Sequence, residues 1–127
     1  MIRQYSVTKD GSRRLAPDFQ VRELRCRDDT DTVMVDEALT VVLQCIREHF
    51  GKAVVITSGY RTAAHNAVVG GAKSSQHLLG RAADIRVQGV SVEDVAAYAE
   101  RLMPDWGGVG RYPVKAGRAT GWVHVDT

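Results

Sequence analysis

The segment SSQHLLGRAADIRV sets His77 and Asp84 seven positions apart, and the C-terminal GWVHVDT sets His124 and Asp126 two apart. A neutral imidazole offers a lone pair and a carboxylate an anionic oxygen, so such residues can hold a divalent metal, move a proton or hydrogen-bond to one another. A catalytic zinc site commonly takes three protein ligands of imidazole and carboxylate type and keeps a further position open. His77, Asp84 and His124 would complete such a set. Each also has an ordinary reading taken singly: a strand histidine is often a hydrogen-bonded structural residue, and an aspartate often serves a turn or an ion pair.

The elements around these residues suit the metal reading. RAADIRV alternates as a strand, with Ala83, Ile85 and Val87 on one face and Ala82, Asp84 and Arg86 on the other. GWVHVDT has the same period, so Trp122, His124 and Asp126 share a face opposite Val123 and Val125. Gly80 allows a turn between His77 and the strand, and Ala82 and Ala83 keep the neighbourhood of Asp84 uncrowded.

Further back, residues 1–30 are polar and broken by Gly11 and Pro17, and are expected to form a loosely structured entry segment. From Asp31 the spacing of Val35, Leu39, Val42, Leu43, Ile46 and Phe50 predicts a helix that stops at Gly51. AVVIT, residues 53–57, predicts a buried strand that delivers SGYRT to its exit. Thr62 is placed to cap a short helix that stops at Gly70 and Gly71. KSSQHLLG reads as a loop, and Ser91 as the cap of a helix ending near Pro104. GGVGRY and GWVHVDT read as two last strands separated by a turn rich in glycine and lysine. Helices and strands in this order, with the final strands close in sequence, predict an α+β fold: a small antiparallel sheet flanked by helices. The 127 residues suffice for one domain, with the entry segment at 1–30 and the core at 31–127.

With 44% hydrophobic and 25% charged residues the composition is that of a packed globular chain. A net charge of +2, with basic residues scattered rather than interleaved with aromatics, argues against nucleic acid as a partner. No run approaches the length of a membrane span, and the N-terminus has no apolar signal core. Cys26 and Cys45 lack zinc-knuckle or redox spacing, and Cys45 falls in the helical pattern, where a buried free thiol is expected.

The pattern SGYRT…HN…VGGAKSSQHLLGRAADI…GGVGRY…GWVHVDT resembles the zinc D-Ala-D-Ala carboxypeptidases and murein peptidases, which share a fold with the vancomycin-resistance dipeptidases and the hedgehog signalling domain. The resemblance runs from about Asp31 to the C-terminus. It implies that His77, Asp84 and His124 bind Zn²⁺, that Ser75 helps hold substrate, and that Arg61 stabilises the oxyanion formed when water attacks an amide carbonyl. The expected activity is cleavage of peptidoglycan stem peptides, as a carboxypeptidase or an endopeptidase, by a chain acting as a monomer. The alternative is a zinc-containing module that binds murein or a protein without hydrolysis.

One departure leaves the proton acceptor open. In the vancomycin-resistance dipeptidases and many endolysins that the chain resembles, an acidic general base sits three residues before the last histidine ligand, where this chain has Gly121. Asp126 is the candidate base, and the competing role is to hold His124 in its tautomer. Tyr60, Tyr112 and Trp122 could form an aromatic wall for the substrate, with core packing as the equal alternative. His65 reads as a helix-surface or packing residue that could line the cleft, and His49 as a complement to the helix dipole. Murein lies outside the cytoplasmic membrane, so a visible signal being absent fits either a lysis enzyme of phage or prophage type or a piece of a longer exported protein.

Overall fold

The computed structural model describes residues 1–114 and 121–127; the turn rich in glycine and lysine expected before the last strand lies outside the described residues. In chain order the elements are β1 (Ile2–Ser6), a one-turn helix α1 (Val7–Asp10), β2 (Arg14–Ala16), β3 (Phe19–Gln20), a 3₁₀ turn (Val21–Leu24), β4 (Thr32–Asp36), α2 (Glu37–Phe50), β5 (Val54–Ser58), α3 (Ala63–Val68), a second 3₁₀ turn (Gln76–Leu79), β6 (Ala82–Val87), α4 (Val92–Leu102), β7 (Gly108–Tyr112) and β8 (Trp122–Asp126).

The main sheet has the order β5-β6-β8-β7 with every neighbour antiparallel, so the architecture is the α+β one expected. Its period of two sorts the side chains. Ala83, Ile85, Val123 and Val125 are buried in the core with Leu39, Leu43 and Ile46 of α2 and Val95, Ala96 and Ala99 of α4. Burial of each larger aliphatic side chain stabilises the fold by about 1.5–3 kcal/mol. The alternate positions, Asp84, Trp122, His124 and Asp126, are left for the other face. β6 lies inside the sheet, which is why Ala82 and Asp84 are buried as well.

The helices follow their expected signals. Gly51 ends α2 in the left-handed conformation with φ 63°. Thr62 caps α3, its hydroxyl accepting from the His65 N–H, and Ser91 caps α4 by accepting from the Asp94 N–H.

Two expectations are corrected. Residues 32–36 form a strand rather than the start of the long helix: Val33 and Val35 are buried alternately, and β4 pairs antiparallel with β1. A helical phase running from Val35 through Leu39 to Ile46 is also compatible with a strand ending at Asp36, and the β1 partner decides between them. The first 30 residues are not loosely structured either. Beyond β1 they form a β2–β3 hairpin and a 3₁₀ turn, and Phe19, Val21, Leu24 and Cys26 are each no more than 1% exposed. Their apolar groups complete the core, which offsets the entropy of ordering a polar segment. Two smaller differences concern KSSQHLLG, which contains a 3₁₀ turn, and Cys45, which is half-buried because it sits at the edge of the buried stripe of α2; Cys26 is the buried free thiol.

Candidate metal centre

The sheet register sets the centre of the site. Asp84 on β6 lies opposite His124 on β8, which in turn lies opposite Gly110 on β7. A Cβ at Gly110 would stand 3.3 Å from the His124 Cβ and 3.0 Å from the Tyr112 ring, so the glycine leaves both side chains their space. His77 enters from the second 3₁₀ turn, whose N-terminus is capped by Ser75: the Ser75 hydroxyl accepts from the His77 N–H at 3.2 Å. Gly80 then reverses the chain into β6 with φ 74°, and a Cβ there would run into the Met34 carbonyl. No side chain fits that crossing.

Three donor atoms converge. His77 Nε2 lies 3.3 Å and His124 Nδ1 lies 3.0 Å from Oδ1 of Asp84. The ligand atoms of His77, Asp84 and His124 all stand within 4.8 Å of one another. The far nitrogen of each ring is held separately. His77 Nδ1 donates to the Gly59 carbonyl at 2.7 Å, which fixes the proton there and leaves the Nε2 lone pair facing Asp84. His124 Nε2 is 2.8 Å from Oδ2 of Asp126. Two oriented imidazoles and a carboxylate form a borderline nitrogen and oxygen donor set that suits a divalent transition metal.

Charge follows geometry. Burial works against the Asp84 anion, yet hydrogen bonds and charge attraction from His124 and His77 hold its carboxyl down at about 2. Burial likewise disfavours a charged His124, but its hydrogen bonds to Asp84 and Asp126 outweigh this and raise it above the ordinary imidazole value. The carboxylate is therefore ionised at neutral pH.

Arg61 occupies the second oxygen of Asp84. Its guanidinium reaches Asp84 Oδ2 at 3.3 Å, the Ser58 hydroxyl at 3.0 Å and the Asn66 side-chain oxygen at 3.3 Å, while its backbone N–H donates to the His77 carbonyl at 3.1 Å. Asn66 is 4% exposed and donates from Nδ2 to the Ala72 carbonyl at 2.9 Å. Gly71 is wedged against this group: a Cβ there would collide with the Asn66 side-chain oxygen. Gly59 has a matching role on the other side, where a Cβ would come within 2.7 Å of the Leu24 carbonyl. Ser58, Gly59 and Asn66 carry no signal of this role in their own types; the motif letters SGYR and HN flag the positions, and the contacts define what they do.

The centre opens into a cleft of about 590 Å³ whose lining includes Arg61, Ser75, His77, Asp84, Trp122 and His124. Tyr112 and Trp122 stack at 4.9 Å between ring centroids and both face it. Tyr60 does not: it is packed against the hydrophobic core, its N–H bonded to the Leu24 carbonyl, because the close approach of Gly59 to Leu24 turns it inward. Asp126 and His65 are also outside the cleft lining. Among the described residues that line it, Asp84 is the one carboxylate. His49 stacks on Tyr98 at 3.8 Å, remote from this cluster in the last turn of α2.

The antiparallel sheet thus presents a His–Asp–His donor set to an open cleft, backed by an arginine, as a candidate metal site. The family model described as Peptidase M15 matches residues 17–126, and the chain belongs to that family. It is also 39% identical over 79 residues to a protein of Haemophilus influenzae described as a probable peptidoglycan L,D-endopeptidase, MepK. That match takes in 58% of this chain and 39% of the relative, so the chain spans well under half of that protein's length. The family match begins at Pro17 and so takes in β3 and the first 3₁₀ turn, which the resemblance starting near Asp31 left aside.

Proposed function

We propose that the chain is a zinc-dependent peptidase that hydrolyses stem peptides of peptidoglycan, with His77, Asp84 and His124 holding the metal. The convergence of three donor atoms within 4.8 Å, each ring fixed from its far side, carries this reading. Family membership and the description of the Haemophilus relative support the substrate class, and that description favours endopeptidase over D-Ala-D-Ala carboxypeptidase action. The reading puts the site of action at the cell wall.

Bound zinc would supply Lewis acidity for attack of water on an amide carbonyl. The rest falls to the chain. Arg61 holds Asp84 through Oδ2, which leaves Oδ1 toward the two imidazoles, and its guanidinium at the cleft wall offers positive charge to the carbonyl oxygen as it becomes anionic. Ser75 positions His77 through its cap and presents its hydroxyl at the cleft, and the Tyr112–Trp122 stack offers an apolar wall to the peptide. Asp126 fits the role of orienting His124 better than that of general base, since its carboxylate is engaged with the ring nitrogen opposite the one that faces Asp84.

The test is digestion of purified murein sacculi, and of synthetic stem peptides with and without a D-Ala-D-Ala terminus, by protein loaded with zinc. Mass spectrometry of the products identifies the bond cut. Cleavage within cross-linked or tetrapeptide stems is expected. Intact substrates with a fully loaded site would reject the peptidase reading and leave a metal-holding binding module.

A further inference from the structure

A second cluster of donor side chains lies on the other side of the arginine segment. Cys26 and Asp28 follow the first 3₁₀ turn, His65 lies on α3, and one ligand atom from each falls within 4.8 Å of the others. Thr62 stands among them: its N–H donates to the Cys26 sulfur at 3.4 Å, its hydroxyl donates to Asp28 Oδ2 at 2.8 Å, and the hydroxyl oxygen accepts from the His65 N–H at 3.1 Å. The segment from Arg61 to Asn66 therefore divides its side chains. Arg61 and Asn66 serve the Asp84 side, whereas Thr62 and His65 face Cys26 and Asp28.

We infer that Cys26, Asp28 and His65 form a second divalent-metal site, of thiolate, carboxylate and imidazole type, that ties the segment after the first 3₁₀ turn to the segment carrying Arg61. Ligands around a tetrahedral zinc stand about 3.3–3.8 Å apart, so closure asks for about 1 Å of movement. Asp28 is exposed and His65 half-buried, and both can supply it by rotation, while the 1%-exposed Cys26 stays fixed. The set includes sulfur, which selects zinc, cobalt or cadmium over magnesium and calcium. The Thr62 hydroxyl donates to Asp28 Oδ2 at 2.8 Å and the Thr30 N–H to Oδ1 at 3.1 Å, and these bonds orient the carboxylate. Binding releases the Cys26 thiol proton to solvent.

The His77, Asp84 and His124 set contains no sulfur, which separates the two sites spectroscopically. Metal-free protein titrated with Co²⁺ is expected to develop sulfur-to-cobalt charge-transfer absorption in the near ultraviolet. His77→Ala should keep that absorption, Cys45→Ser should keep it, and Cys26→Ser should abolish it. His65→Ala should weaken the binding that produces the band by at least about tenfold, the smaller loss seen even for partners outside a ligand shell; it decides the matter if Cys26→Ser fails to fold. Absence of the band in wild-type protein, its loss in Cys45→Ser, or Co²⁺ affinity unchanged in His65→Ala would each overturn the second site. The proposed peptidase centre would stand or fall separately, by its own metal equivalent in Cys26→Ser.

Discussion

His124 and Asp126, two residues apart on one strand face, are joined through Nε2 of the ring at 2.8 Å, while Nδ1 of the same ring is turned to Asp84. The carboxylate thus grips the back of an imidazole whose front belongs to the donor cluster. Such a partner fixes the tautomer and ring angle. Asp126→Ala is expected to leave the fold intact, to weaken metal binding about 10- to 100-fold, and to recover activity in excess zinc. Calorimetric metal titration alongside activity at two zinc concentrations checks this; activity abolished with unchanged metal affinity would return Asp126 to the role of base.

The grip can also be loosened from outside. A Cβ on Gly108 would stand 2.7 Å from Oδ2 and 3.0 Å from Oδ1 of Asp126. Gly108→Ala should therefore displace the carboxylate and reproduce the metal-affinity loss of Asp126→Ala. Because both changes act through one contact, the double variant should be no weaker in metal binding than Asp126→Ala, as a double-mutant cycle would register.

Gly80 tests the approach to β6. Its φ of 74° and the collision of an added methyl with the Met34 carbonyl act together. The left-handed conformation alone costs a non-glycine residue about 1–2 kcal/mol. With backbone rather than a flexible side chain in the way, Gly80→Ala should lower stability by more than about 2 kcal/mol in denaturant unfolding. Its carbonyl also accepts from the Asp36 N–H, so β4 should loosen together with the His77 turn.

Much of this could be read from the residue types. The donor triad is legible because imidazole and carboxylate are chemically distinctive, and because strand parity alone puts Asp84 and His124 on faces that can meet. Ser91 and Thr62 announce their helices by local hydrogen bonds that need no distant partner. What stays illegible is settled by distant chain. Val35 fits both a helical and a strand phase, and only β1 decides between them. Tyr60 follows the same motif as Arg61 yet turns to the core, because Leu24 lies against Gly59 from 35 positions away in sequence. Asn66 looks like a helix-surface amide until Arg61, Ala72 and Gly71 close around it.

Acid should unfasten the first strand. Asp31 accepts from the Ser6 hydroxyl at 2.6 Å, the Thr8 hydroxyl at 2.6 Å and the Thr8 N–H at 2.8 Å, and these bonds depress its carboxyl from 3.8 to about 2. A depressed carboxyl contributes stability that is fully present above 3.8 and is lost as pH falls toward about 2. Asp31→Asn should reduce stability at neutral pH and flatten the acid limb of the thermal midpoint across that window. An acid limb identical to that of the wild type would show that Asp31 does not clasp β1.

Arg61 carries the last prediction, because its two proposed roles give different results. As a brace it holds Oδ2 of Asp84, together with Ser58 and Asn66; as a cleft residue it meets the developing oxyanion. Loss of one oxyanion donor lowers kcat by about 10²–10³-fold, whereas loss of a brace outside the ligand shell lowers metal affinity about 10- to 100-fold. Arg61→Ala is expected to do both, so excess zinc should restore occupancy without restoring the rate. Arg61→Lys keeps the charge but cannot fork to three acceptors, and it should remain impaired in metal affinity as well. Gly71→Ala separates the two. A Cβ there would press on the Asn66 oxygen and stand 3.0 Å from the Arg61 guanidinium, and Asn66 is too buried to yield. That variant keeps the arginine while shifting its support, so its rate should fall less than that of Arg61→Ala at saturating zinc. Equal rates in the two would mean that the position of the guanidinium, and not merely its charge, supplies the whole effect.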